Sequence, residues 1–390
     1  MEKNEYQELA DWLSTTFRGT SAINTTEFHD LLRHTYTPEE ARLVIQMGPE
    51  GGTLDELVSK TGIKKEKLKK IIKSMQGKAT IYTEPGSDNP GYKPLGMELP
   101  GLLEAIGFGD LNTPYKKHYL KLWQKVKPIY VNEGIAALGK HNMPWCSVKA
   151  LPPEAKPEEN LAEIIKLNDY FAVVHCACRI LERSHGNVCE HDLETCLYFG
   201  EIAHWFVEQG FGRQITLDEA LNLLSVCEEK GQVHVGLPNL VICNCCKHAC
   251  VMFAGLRAGV KHIFVPNHFL AVVDPETCTS CGICVDRCPV DAMRMEDEVF
   301  RVDVDKCIGC GSCVTGCDVK AAKMIRRSEE EIAKIEAVVM EGFTNVMSRT
   351  KLPSVLMKAL IQLRARQAVM LANTLKVRLE KIINSNRLEM

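Results

Sequence analysis

Along the first hundred residues the apolar positions fall at helical spacing. In "KKEKLKKIIKSM", Leu68, Ile71, Ile72 and Met75 recur every three or four residues, which makes one helix face apolar and leaves the rest to lysine. "TPEEARLVIQM" reads as a helix start. "TLDELVSKTG" opens with Thr53 and Glu56 at capping-box spacing and is broken by Gly62. The short runs "ATIY" and "YKPL" flank the turn-rich "TEPGSDNPG" and predict a hairpin. Residues 1 to about 37 predict one or two short helices, while 96 to about 160 mix Pro and Gly into segments of no clear period. Further on, "EENLAEIIKLNDYFAVV" predicts a helix and then a buried strand, and "LPNLVI" a second strand. "TLDEALNLLSVCEEKG" repeats the capping signature with Thr216 and Glu219, places Leu217, Ala220, Leu221, Leu224 and Cys227 on one face, and ends at Gly231. After Cys317 the pattern is helical to the end, with Arg and Lys interrupting the apolar stripe, as in a packed or docking element.

These elements divide the chain into four parts: residues 1–97, 98–274, 275–326 and 327–390. The order helix, helix–turn–helix, hairpin in the first part resembles the winged-helix domains of bacterial regulators. The expected class is α+β and multi-domain: a winged-helix-like domain, a central cysteine-rich α/β domain, a two-cluster module and C-terminal helices.

With 45% hydrophobic and 25% charged residues in 390, the composition is that of an ordinary globular chain, and a net charge of −3 excludes a chain that is basic overall. No basic-then-apolar leader opens "MEKNEYQELADWL" and no run of 18 apolar residues occurs, so a cytoplasmic protein without a membrane span is expected. There thiols stay reduced. The eighteen cysteines, none before Cys146 or after Cys317, therefore point to metal binding rather than disulfides. Cys146 and Cys227 stand apart from the rest and read as core thiols.

The strongest signal is a duplication. "CTSCGICVDRCPVDAM" from Cys278 and "CIGCGSCVTGCDVKAA" from Cys307 lie 29 residues apart, and each keeps C-x₂-C-x₂-C-x₃-C. Residues 275–326 resemble a bacterial two-cluster ferredoxin, in which the fourth Cys of each run crosses to the other cluster. The resemblance implies two [4Fe-4S] clusters, one on Cys278, Cys281, Cys284 and Cys317, the other on Cys307, Cys310, Cys313 and Cys288. Where the first run continues Cys288–Pro289, the second has Cys317–Asp318, a negative charge that would lower a nearby cluster's potential if unscreened.

Eight more thiols lie upstream: Cys176, Cys178, Cys189, Cys196, Cys243, Cys245, Cys246 and Cys250. Both groups follow apolar runs, so each strand is expected to deliver thiols at its end. One or two further [4Fe-4S] clusters are the economical reading, with zinc sites and a catalytic dithiol as alternatives. Adjacent Cys245 and Cys246 point in different directions and either serve two clusters or include a non-ligand. His175, His185, His191 and His248 read as hydrogen-bond donors beside thiols, and Arg179 as their counter-charge. The segments "HCACR" and "ICNCC" ahead of a two-cluster module resemble a group of iron–sulfur proteins of anaerobic bacteria and archaea. That resemblance implies anaerobic electron transfer; those proteins carry more cysteines after I-C-N-C-C, where this chain has His248 and Ala249.

The expected function is thus low-potential, single-electron transfer to or from a partner oxidoreductase. The alternatives are a reductase with an open upstream iron and a redox-responsive DNA-binding regulator. Six lysines (Lys64, Lys65, Lys67, Lys69, Lys70 and Lys73) crowd "KKEKLKKIIKSM", which has none of the Arg, Asn or Gln side chains that read base edges, so protein docking is favoured over DNA. "GPEGG" at 48–52 lacks the strand-to-helix context of a phosphate loop, so no flavin or nicotinamide site is expected.

Overall fold

The computed structural model describes residues 4–16, 23–96, 101–134, 143–187, 189–237, 240–261, 263–296 and 299–347. The apolar pattern predicted beyond Met347 lies outside them. Two units are distinguished: residues 1–139, 170–216 and 248–263 form the first, and residues 140–169, 217–247 and 264–390 the second.

The first unit opens with helices Glu5–Thr16, Thr26–Thr35 and Pro38–Met47, then strand β1 (Gly52–Thr53), helices Leu54–Thr61 and Lys65–Gly77, and strands β2 (Ile81–Thr83) and β3 (Gly91–Pro94). The three strands make an antiparallel sheet in the order β1-β3-β2. Local chemistry sets the helix starts. Thr37 and Glu40 exchange side-chain and backbone hydrogen bonds, and Thr53 N–H donates to Glu56 Oε2 at 2.8 Å, each satisfying an amide the helix leaves unpaired. The apolar face Leu68, Ile71, Ile72, Met75 is buried, as its spacing requires. A helix absent from the periodicity reading, Pro114–Ile129, is capped by Thr113 and buries Tyr119, Trp123 and Val126.

The same unit holds an antiparallel trio, β6-β4-β5, with β4 (Phe171–His175) paired to both β5 (Glu194–Phe199) and β6 (Gly212–Ile215). Four consecutive residues of β4 are buried, which explains the unbroken apolar run "FAVV". Helices Ala177–Ser184, Gly200–Glu208 and Val251–Arg257 complete it.

The second unit contains helices Leu161–Ile165 and Leu217–Glu229 and the hairpin β7 (Val233–Leu237) with β8 (Val241–Cys245). Strand β9 (Phe269–Val273) then pairs antiparallel with β12 (Ala322–Arg326), and between them lies the hairpin β10 (Met293–Glu296) with β11 (Val299–Val302). Short helices Ile283–Arg287 and Ser312–Thr315 follow Gly282 and Gly311, both at positive φ. Helix Glu329–Met347 ends the described chain, and among the described residues no helix is long and apolar enough to cross a membrane.

Candidate metal centres

The duplication is present in the backbone as well as the sequence. Residues with positive φ recur in pairs 29 apart: Ser280 with Gly309, Gly282 with Gly311, and Asp291 with Lys320. Cys278 N–H and Cys307 N–H each bond a carbonyl four residues back, on Asp274 and Asp303. Two equal loops therefore wrap two cavities. One is lined by Cys278, Cys281, Cys284 and Cys317. The other is lined by Cys288, Cys307, Cys310 and Cys313. In both, the fourth thiol comes from the opposite run, and the remaining wall is mainly apolar.

Four soft donors around an otherwise apolar cavity fit an iron–sulfur cluster. Burial pushes the Cys284 thiol up to about 11 and raises Cys310 and Cys313 further. Bare thiolates are thus disfavoured there, and ligation by a cationic metal would supply the missing compensation. Backbone amides already face the crossing thiols: Ala292 N–H donates to Cys288 Sγ at 3.2 Å and Ala322 N–H to Cys317 Sγ at 3.4 Å.

The second loop is held from outside its own run. Arg327 Nη2 donates to Cys307 O, Asn267 N–H to Ile308 O, Asn267 Nδ2 to Gly309 O, and Ser147 N–H to Cys310 O, at 2.7 to 3.2 Å. Sequence reasoning missed all three partners because each is remote in the chain. It also set Cys146 apart from the other thiols. Cys146 is buried, as a core thiol should be, and it packs in one cluster with Cys288, Cys307 and Cys313, beside Ser147, which anchors Cys310. Cys227 is buried in its helix, among the residues of the apolar face.

Upstream, Cys176, Cys178 and Cys196 meet. Cys176 contacts both others through its side chain, and Cys250 lies within electrostatic reach of Cys178. Cys189 is buried, and its carbonyl accepts from Arg183 at 2.9 and 2.6 Å. Cys245 ends β8, as expected of a strand that delivers thiols at its end, while Cys243 lies within it, two residues back on the same face. Asn244 between them faces the other way, where it bonds buried His234 at 2.6 Å. Cys246 comes directly after the strand, buried. Among the histidines beside thiols, His185 Nδ1 meets Leu181 O at 2.7 Å, while the carbonyls of His191 and His248 accept from Arg183 and Arg257. His175 is an exposed end of β4. Arg179 is fully buried and bonds Asp192 O and Thr195 Oγ1. Among the described residues, no three His, Cys, Asp or Glu groups converge as a single metal ion requires.

Comparison with known proteins agrees with the downstream geometry. Residues 270–318 match the family described as a 4Fe-4S dicluster domain, a match that opens in β9 and closes just after Cys317. A ferredoxin of Rickettsia felis is 42% identical over 33 residues, which is 8% of this chain and 30% of that relative. No solved structure matches. This part of the chain is a ferredoxin-like dicluster module, and the module supports iron–sulfur binding.

Proposed function

We propose that this protein is an iron–sulfur electron carrier, with one [4Fe-4S] cluster on Cys278, Cys281, Cys284 and Cys317 and another on Cys288, Cys307, Cys310 and Cys313. The observation that carries this is the pair of four-thiol cavities, each completed by the opposite run. Such clusters accept and release single electrons. This chain's residues fix where: Cys281 is exposed, flanked by partly exposed Ile283 and Val319, so the first cluster is the port toward a partner oxidoreductase. The second cluster, with four buried thiols, passes electrons inward. Anaerobic metabolism is the setting in which such low-potential electrons are useful.

The first part of the chain is read as a winged helix that docks a protein partner. The strand order β1-β3-β2 around helices Leu54–Thr61 and Lys65–Gly77 supports that reading. Three of the exposed lysines at its basic helix are already engaged, Lys65 by Asp55, Lys67 by Glu39 and Lys69 by Glu66, which reduces the charge left for phosphates.

The test is anaerobic reduction by a one-electron donor, followed by stopped-flow transfer to a redox dye. The unaltered chain should bleach its cluster absorption and hand electrons on singly. Cys278→Ala with Cys281→Ala should lose four irons and most of the transfer rate. A chain whose clusters load but take up no electrons, or whose transfer rate ignores that double change, would sink the proposal.

A further inference from the structure

We propose that Cys176, Cys178, Cys196 and Cys250 together hold a third [4Fe-4S] cluster, closed by four thiolates and therefore an electron relay with no open iron. The inference rests on the iron–sulfur reading above and narrows eight upstream thiols to one ligand set.

All four residues belong to the first unit. Cys196 sits in β5, paired with Val174 of β4. Cys176 follows β4 directly, and Cys178 stands in the first turn of helix Ala177–Ser184. Cys250 caps helix Val251–Arg257. The two-residue step from Cys176 to Cys178 falls across a strand-to-helix junction, and there the two thiols contact one another. Cys176 touches Cys178 and Cys196 pairwise. A cubane takes one thiolate at each of its four irons, so neighbouring thiols from separate elements suit it.

The surroundings suit an anionic cluster. The backbone N–H of Arg179 donates to the Cys176 sulfur and that of Val251 to the Cys178 sulfur. Hydrogen bonds of this kind stabilise thiolate charge. The buried Arg179 guanidinium lies within electrostatic reach of Cys176, and Lys127 within reach of Cys178. Both cations are fixed in place, Arg179 by Asp192 O and Thr195 Oγ1, and Lys127 by its ion pair with Glu182.

Native mass spectrometry of the anaerobically purified full chain reads the result directly. Three or more cubanes, about twelve irons and twelve sulfides or more, are expected. Cys178→Ala and Cys250→Ala should each lose the same four irons while the reduced-state EPR of the dicluster module is unchanged, and the double variant should lose no more than either single one. Cyanide should leave the third cluster's spectrum unaltered. Two cubanes in the unaltered chain, a zinc ion in place of the third, eight irons lost in the double variant, or a cyanide-shifted signal would each overturn the assignment. Absence of the module's own eight irons would instead overturn the electron-carrier reading, so the two failures are distinguishable.

Discussion

The two loops of the dicluster module share a sequence pattern and a backbone, yet the protein treats them oppositely. Around the first cavity Cys281 is exposed and Cys278, Cys284 and Cys317 are half-buried; around the second all four thiols are buried. The first loop has Ser280 at φ 54 where the second has Gly309 at φ 76. An L side chain in this region costs about 1–2 kcal/mol. At the exposed site the chain tolerates that cost. At the second loop no side chain fits, since a Cβ on Gly309 would stand 1.8 Å from Asn267 Oδ1 and 2.5 Å from Phe269 O. The difference arises because Asn267, Ser147 and Arg327 grip one copy of the loop. A duplicated motif has thus become one exposed site and one anchored interior site.

The largest expected effect breaks that anchoring. Gly309→Ala should cost more than about 3 kcal/mol, combining the strained φ with displacement of backbone. The chain should lose the second cavity's four irons. Ser280→Gly, the reverse exchange in the first loop, should stay within about 1 kcal/mol and keep full iron. Chemical denaturation with iron analysis of both variants checks the pair, and equal effects would mean the two loops are equivalent after all.

The next effect concerns what holds β9 and β12 together beyond the second loop. Burial opposes ionisation of Glu159, but hydrogen bonds from His268, the Lys156 amide and Arg326 outweigh it and hold the carboxyl at about 2. His268 Nδ1 lies 2.6 Å away and Arg326 Nη1 2.8 Å. The folded value lies below the ordinary 4.5, so the stabilisation is fully present above about pH 4.5 and lost as pH falls toward 2. It amounts to about 3 kcal/mol. Glu159→Gln should forfeit it at pH 7 and show a flatter acid limb in circular dichroism; an acid limb as steep as the unaltered chain's would refute the role.

How much of this was legible beforehand follows from what each feature depends on. The eight module cysteines are local spacing, and so are the capping pairs Thr37–Glu40 and Thr53–Glu56, which bond as side chains three residues apart can. The β9–β12 pairing was not legible, because Phe269 meets Arg326 across a separation that no periodicity reports. Helix Pro114–Ile129 escaped because "PYKKHYLKLWQKVKPI" carries six charged or histidine side chains among its apolar positions and holds Pro128 next to its last residue, which reads as a breaker. Among the upstream thiols, sequence order was misleading: Cys176 lies near Cys196 through strand pairing, while Cys243 and Cys245 share a strand face.

The smallest expected effect compares the cavities by their potentials. Arg287 precedes the crossing Cys288, and its guanidinium donates to Thr315 Oγ1 at 3.1 Å, to Ser312 O and to Glu229 O, packing on Gly316. It feels both Asp318, beside the first cavity's Cys317, and Cys313 of the second. The negative charge that replaces proline after Cys317 is therefore not unopposed. Arg287→Gln removes the cation and should lower both midpoint potentials by on the order of tens of millivolts, more at the buried cavity, where screening is weaker. Arg287→Lys keeps the charge but loses the forked hydrogen bonds, so it should restore the potentials while leaving any stability loss in place. Spectroelectrochemical titration of the three proteins separates the two roles: potentials that follow stability rather than charge would make Arg287 a packing residue only.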